Sequence, residues 1–230
     1  MSAVTGFGSA IITLTVAVNF FPLDFLIPVV IPLNLIICCY LVIRHHSGIQ
    51  RGLLGKRILP LVGIGLPIGL VIFNTLETDH LKLGFGAFVL SIALFELYRL
   101  VRSEEDSPVS SPSSGWSGLW LLLGGIAQGI WVSGGPMIAY WAGRNIASKG
   151  AFRSTLSSVF LLLNAALLAS HLVAGRINLE TVRISGLLIP FMAVGIALGE
   201  FLHVKLPERT FRMVVFSVLV FAGVSILVRG

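Results

Sequence analysis

The tetrapeptide Ser133-Gly134-Gly135-Pro136 stands in the middle of Trp116–Gly143, a run of 28 residues without Asp, Glu, Lys or Arg. Consecutive glycines followed by proline interrupt a helix. Pro136 is suited to start the next one, because the first helical turn has no use for the N–H that proline lacks. In hydrocarbon the backbone groups freed by such a break need partners, so the break belongs beside a cavity or against other protein. Amides at a helix start, reinforced by a dipole worth about half an elementary charge, favour an anion. Gly134 and Gly135 let an anion approach the backbone closely, and Ser133 adds a hydroxyl. Near the N-terminus Thr5-Gly6-Phe7-Gly8-Ser9 offers Gly6, Gly8 and Ser9 for the same task, without the proline.

Polar side chains inside apolar runs complete the candidate site. Gln128 lies six residues before Gly134, and Asn34 and Asn164 each sit within an apolar span. A buried amide in lipid must find a partner or line a watery path, so these three either contact the solute or join helices together. Spaced glycines, Gly63, Gly65 and Gly69 and then Gly195 and Gly199, read instead as faces where helices pack closely. Glu96 lies one turn before Arg99, and Glu200 and His203 stand at the end of a span, as interfacial or paired charges. His45 and His46 fall in a basic loop and His171 near a helix end, none with a second ligand at metal spacing. Cys38 and Cys39 are adjacent in one apolar run and read as small apolar residues. No nucleophile–base pair, paired acids or ligand cluster stands inside the spans, so neither catalysis nor a cofactor or metal is expected.

The elements that must position these residues are membrane helices. Of 230 residues 56% are hydrophobic and 11% charged, with a mean hydropathy of +0.96, against about 25% charged residues in a soluble domain. Long charge-free runs, Met1–Leu23, Phe25–Ile43, Ile58–Leu76, Trp116–Gly143 and Ser154–Gly175, approach or exceed the roughly 20 residues a crossing helix needs. Shorter runs at Leu83–Phe95, Ile184–Gly199 and Met213–Val228 reach that length once flanking cations snorkel. The net charge of +6 resides in the loops, where lipid headgroups account for it and no nucleic-acid partner is implied. A cleavable signal peptide is not expected, since no Lys or Arg precedes the first apolar stretch.

A polar, Ser- and Pro-rich linker at 102–115 divides two membrane halves, 1–101 and 116–230. At a shift of 130 residues Asn34 falls on Asn164, Pro60 on Pro190, Gly65 on Gly195 and Gly69 on Gly199, while the two Gly-rich breaks align with a small drift. Duplicated halves that each open with a broken segment are a transporter pattern. Loop charge bears on their orientation. A re-entrant fifth segment collects every Lys and Arg except Lys82, Arg176, Arg183 and Arg229 on one side, twelve of the sixteen, and eight full crossings show no such bias. The expected fold is therefore an all-α integral membrane protein, a polytopic helical bundle of two pseudo-repeated four-segment halves, inverted, each opening with a Gly-rich broken or re-entrant segment.

The Gly6–Gly8 break, the Ser133–Pro136 break, the Arg153 to Asn164 stretch and the later Pro190, Gly195 and Gly199 together resemble the TauE/SafE sulfite exporter family. The resemblance implies a permease moving sulfite, sulfonates or related small organic anions across the cytoplasmic membrane, with lipid and a small anion as partners and room for a homo-oligomer. Such proteins carry a longer apolar stretch ahead of the first break than the Met1–Thr5 found here, so the resemblance implies a truncated leading half-helix. The alternative function is that of a non-transporting membrane scaffold or accessory subunit, which gives no reason for two broken segments.

Overall fold

The computed structural model describes residues 9–44, 48–101, 117–146, 148–205 and 208–229, and every regular element among them is helical. In chain order these are α1 (Ser9–Ala17), α2 (Leu23–Arg44), α3 (Arg51–Thr75), α4 (Thr78–Val101), α5 (Ser117–Trp131), α6 (Gly135–Asn145), α7 (Lys149–Val173), α8 (Leu179–Lys205) and α9 (Glu208–Arg229). Gly6, Gly8, His45, His46 and the linker 102–115 lie outside the described residues, and Ser9 is the first residue of α1.

Four helices, Leu23–Arg44, Arg51–Thr75, Thr78–Val101 and α7 from Gly150 to Val173, have the length and hydropathy to cross a bilayer. The surface agrees with lipid as the solvent: Phe20 is 76%, Phe221 79% and Val173 91% exposed. Water would penalise that arrangement, whereas acyl chains are as apolar as the side chains themselves. In α3 the segment Leu54–Ile58 widens to a π-helical turn. Pro60, two residues later, has no N–H to donate to the preceding turn, and a locally wider turn accommodates that loss.

Without a hydrophobic drive between helices, close packing and interhelical hydrogen bonds must hold the bundle. Glycines make the closest seam, between α3 and α5. A Cβ added to Gly65 would come within 3.0 Å of the Gly125 Cα, and one on Gly69 within 2.9 Å of the Gly129 Cα. Gly65 and Gly69 therefore pack helices, as their spacing predicts. Gly63 and Gly195 do not, since among the described residues no atom of another element lies within 4 Å of where either Cβ would sit.

Which residues meet also sets the helix directions. Gly65 faces Gly125 and Gly69 faces Gly129, so α3 and α5 run parallel. Cys38 in α2 meets Asn164 in α7, and Gln50, beyond the end of α2, donates its N–H to Thr155 Oγ1 near the start of α7 at 3.1 Å. These two helices are antiparallel. Gly86 meets Ile226 and Gly223 meets Leu90, which makes α4 and α9 antiparallel as well. The starts of α3, α5 and α7 consequently share one end of the bundle with the ends of α2, α4 and α6. The opposite end holds the end of α7 beside the end of α3, where the Arg176 guanidinium lies 4.8 Å from the Phe73 ring centroid.

Candidate functional site

The break falls at Val132–Gly134, between α5 and α6. Val132 stops α5 with a φ of +55°, a left-handed conformation that a β-branched residue adopts only under constraint. The chain then doubles back. Gly134 lies so close to Gly124 that a Cβ there would collide with the Gly124 carbonyl, and it would sit 2.9 Å from the Gln128 Cβ. Four residues on, Ile138 covers Gly124, and Tyr140 lies 4.8 Å from Trp120 between ring centroids. Later residues meet progressively earlier ones, so α5 and α6 form a helical hairpin with the break at its tip. Trp131 pins that tip to α4: its indole Nε1 donates to the Leu81 carbonyl at 3.1 Å, and its ring stacks on Phe88 at 5.1 Å.

Backbone accounting at the start of α6 shows what the tip offers. The Gly134 N–H donates to the side-chain Oε1 of Gln128 at 3.0 Å, and the Ile138 N–H to the Gly134 carbonyl at 3.2 Å. Pro136 has no N–H. Gly135 and Met137 thus keep first-turn amides with no intrahelical acceptor, and Gly134, at the N-cap, gives no side-chain cap. Gly135 is buried. An uncapped, buried helix start of this kind is an electropositive patch built without any charged side chain.

Three residues singled out in the sequence meet here. Gln128, 2% exposed, and Asn164, 3% exposed, share a hydrogen bond in which Gln128 Nε2 donates to Asn164 Oδ1 at 3.2 Å. Asn164 Nδ2 in turn donates to Cys38 Sγ at 3.7 Å. One buried relay therefore runs from the Gly134 amide through Gln128 and Asn164 to Cys38, joining the hairpin tip to α7 and α2. Ser133 is also buried, and its hydroxyl donates to the Trp131 carbonyl at 2.9 Å. The hydroxyl proton is thus committed to the end of α5. Asn34 lies one turn before Cys38 on α2, half-buried, and its side chain makes no hydrogen bond to another described residue.

Two participants were not singled out by sequence. By type Cys38 is a small apolar residue, and only the meeting of α2 with α7 makes it the last acceptor of the relay. Val132 bears no polar group, so nothing in its type announces a left-handed turn. Spacing carries a third feature: Ser157, Asn164 and His171 recur every seven residues along α7, and all three are buried. Seven residues are close to two helical turns, so the three share one face. Glu96 and Arg99 pair as their spacing predicts, at 3.2 Å.

Compared with known protein families, residues 1–226 of the 230 match the family described as sulfite exporter TauE/SafE. No curated protein and no solved structure matches the chain.

Proposed function

The chain belongs to the TauE/SafE sulfite exporter family, whose members are membrane transporters, and on that premise we propose that it is a secondary permease carrying a small anion through the cytoplasmic membrane. The substrate class is sulfite, a sulfonate or a related organic anion. One observation carries the reading: a buried, uncapped helix start whose Gly135 and Met137 amides have no intrahelical acceptor, steadied by Gln128 and Asn164. A charge-free amide site suits a permease, because an anion held by dipoles and amides can leave again, whereas a buried fixed cation would hold it tightly.

The halves 1–101 and 116–230, joined by the linker 102–115, act in this reading as inverted repeats. Two antiparallel pairings between the halves, α2 with α7 and α4 with α9, support that assignment. So does the hairpin, which returns to the end of the bundle where α5 began and so enters the membrane without crossing it. That end carries Arg44, Arg51, Arg99 and Arg144 and is assigned to the cytoplasm by its excess of basic residues. Rocking of one half against the other would expose the hairpin tip alternately to the two sides. In the first half, Gly6, Gly8 and Ser9 are assigned the mirror-image role, and Asn34 the part that Asn164 plays in the second.

Purified protein in liposomes tests the proposal through uptake of labelled sulfite, with a sulfonate as second probe. Gly135→Leu is expected to abolish flux in protein that is still recovered monodisperse, with a melting temperature lowered by the added side chain. Undiminished flux in that variant would remove the amide site from the mechanism. No flux of either probe through the unaltered protein would leave the scaffold reading standing.

A further inference from the structure

We propose that His171, Arg176 and Phe73 form a second oxyanion-binding station, between the hairpin tip and the end of the bundle away from the cytoplasm. The proposal rests on the transport reading above and adds to it a separate binding site. His171 is 1% exposed, and neither ring nitrogen has a hydrogen-bond partner among the described residues. A neutral imidazole has one N–H and one lone pair to satisfy, and a buried polar group left unpaired costs about 1–3 kcal/mol. Buried polar groups in native proteins are nearly always satisfied, so one left unpaired requires an explanation.

Its neighbours indicate the ligand. Phe73, at the end of α3, lies 5.6 Å from His171 between ring centroids, and the guanidinium of Arg176 lies 4.8 Å from that same Phe73 ring. Arg176 is also tied to the end of α7 by its backbone, whose N–H donates to the His171 carbonyl at 3.0 Å. Arg176 is half-buried, and the ion pairs among the described residues, His80 with Glu77 and Arg99 with Glu96, leave it without a carboxylate. A planar fork of N–H donors that lacks an acceptor, next to an imidazole that can donate one more, matches a tetrahedral or pyramidal oxyanion. Phe73 keeps the two groups on a dry apolar wall, where a charge-assisted bond is stronger than in water.

The position on α7 links this station to the first site. Asn164 and His171 are seven residues apart on one face, which places them about 10 Å apart along the helix. An anion released from the tip toward that end meets the Arg176–His171 pair next. Ser157 and Asn164 on the same face have protein partners, the Arg153 carbonyl for Ser157 and Gln128 for Asn164. His171 alone of the three has none, as expected for a group whose partner is transient.

Equilibrium binding of radiolabelled sulfite to the purified full chain, together with sulfite flux in liposomes, tests the station. The unaltered protein should bind two sulfite ions per chain. His171→Phe and Arg176→Gln should each bind one and carry flux reduced about tenfold, the loss expected from one charge-assisted hydrogen bond. Gln128→Leu should also bind one, but with the Arg176 site retained. His171→Phe guards against a merely structural role, since an apolar ring of similar shape removes the unpaired nitrogens and should raise the melting temperature. Two bound ions and full flux in both His171→Phe and Arg176→Gln would overturn the station and leave the transport reading intact. A single ion bound by the unaltered protein overturns it as well. Absence of any sulfite binding or flux in the unaltered protein would overturn the transport reading and the station together.

Discussion

Gln128 and Asn164 share a buried amide–amide hydrogen bond of 3.2 Å that fastens the tip of the α5–α6 hairpin to the α7 span. Gln128 spends its other end on the Gly134 N–H, so one side chain both holds the break in shape and locates it against the neighbouring helix. Gln128→Leu removes both bonds and leaves Gly134 N–H and Asn164 Oδ1 unsatisfied in the interior, at about 1–3 kcal/mol each. Sulfite flux in liposomes is expected to fall at least tenfold, and thermal unfolding in detergent to shift downward. Gln128→Glu keeps the acceptor for Gly134 but places a carboxylate where the anion binds, so it should lose flux with a smaller loss of stability. Equal flux in all three proteins would remove the relay from the mechanism.

Gly134 leaves no room for a side chain, because a Cβ would meet the Gly124 carbonyl and stand 2.9 Å from the Gln128 Cβ. Gly134→Ala must therefore open the hairpin, and in a membrane interior the displaced backbone groups have no water to turn to. Expression as monodisperse protein should drop severely. Gly175→Ala tests a different constraint, since that residue has open space but a φ of +68°. It should cost only about 1–2 kcal/mol, the penalty of a left-handed backbone with a Cβ.

Val132 is buried and left-handed at once. Val132→Ala sheds apolar contact worth about 0.8 kcal/mol per methylene yet retains the backbone penalty. Val132→Gly sheds more contact but relieves about 1–2 kcal/mol of that penalty. The glycine variant is accordingly expected to melt no lower than the alanine variant, a reversal of the order found in ordinary helix positions. Melting curves of the two purified proteins decide the matter, and an alanine variant clearly the more stable of the pair would contradict the left-handed turn.

The glycine seam predicts a contrast between neighbours on α3. Gly69→Val drives a branched side chain into the Gly129 backbone and should separate α3 from α5, with loss of folded protein. Gly63→Val, on the open side of the same helix, should fold and transport normally. Matching yields of the two variants, by size-exclusion chromatography, would mean that α3 and α5 do not touch through these glycines.

Helix directions are checked by labelling single cysteines in a background with Cys38 and Cys39 replaced. Positions Arg51, Val101 and Asn145 should react from the same face of the membrane, and Thr78 and Arg176 from the other. Reaction of Asn145 together with Thr78 would mean that α6 continues across the membrane and does not return along α5.

Composition and hydropathy determine most of the architecture on their own, because in lipid a chain this apolar has no alternative to helices with internally satisfied backbones. A break at Ser133–Pro136 was equally legible, since consecutive glycines ahead of a proline favour the start of a new helix, and the structure has it at Val132–Gly134. Gln128, Asn164 and the packing glycines Gly65 and Gly69 were legible as types, because polar amides and spaced small residues inside apolar runs need a reason. What the sequence left open was partnership. A glycine looks the same whether it faces another helix, as Gly69 does, or nothing within 4 Å, as Gly195 does. Cys38 is an apolar filler until α7 brings Asn164 to its sulfur, and His171 is an unremarkable histidine until burial beside Phe73 leaves both its nitrogens unpaired. Local physics sets which elements form, since it acts within a few turns of chain. Only the folded bundle sets which side chains meet across 36 or 126 residues of sequence, because that depends on how helices dock, and spacing within one segment marks a packing face without identifying its partner.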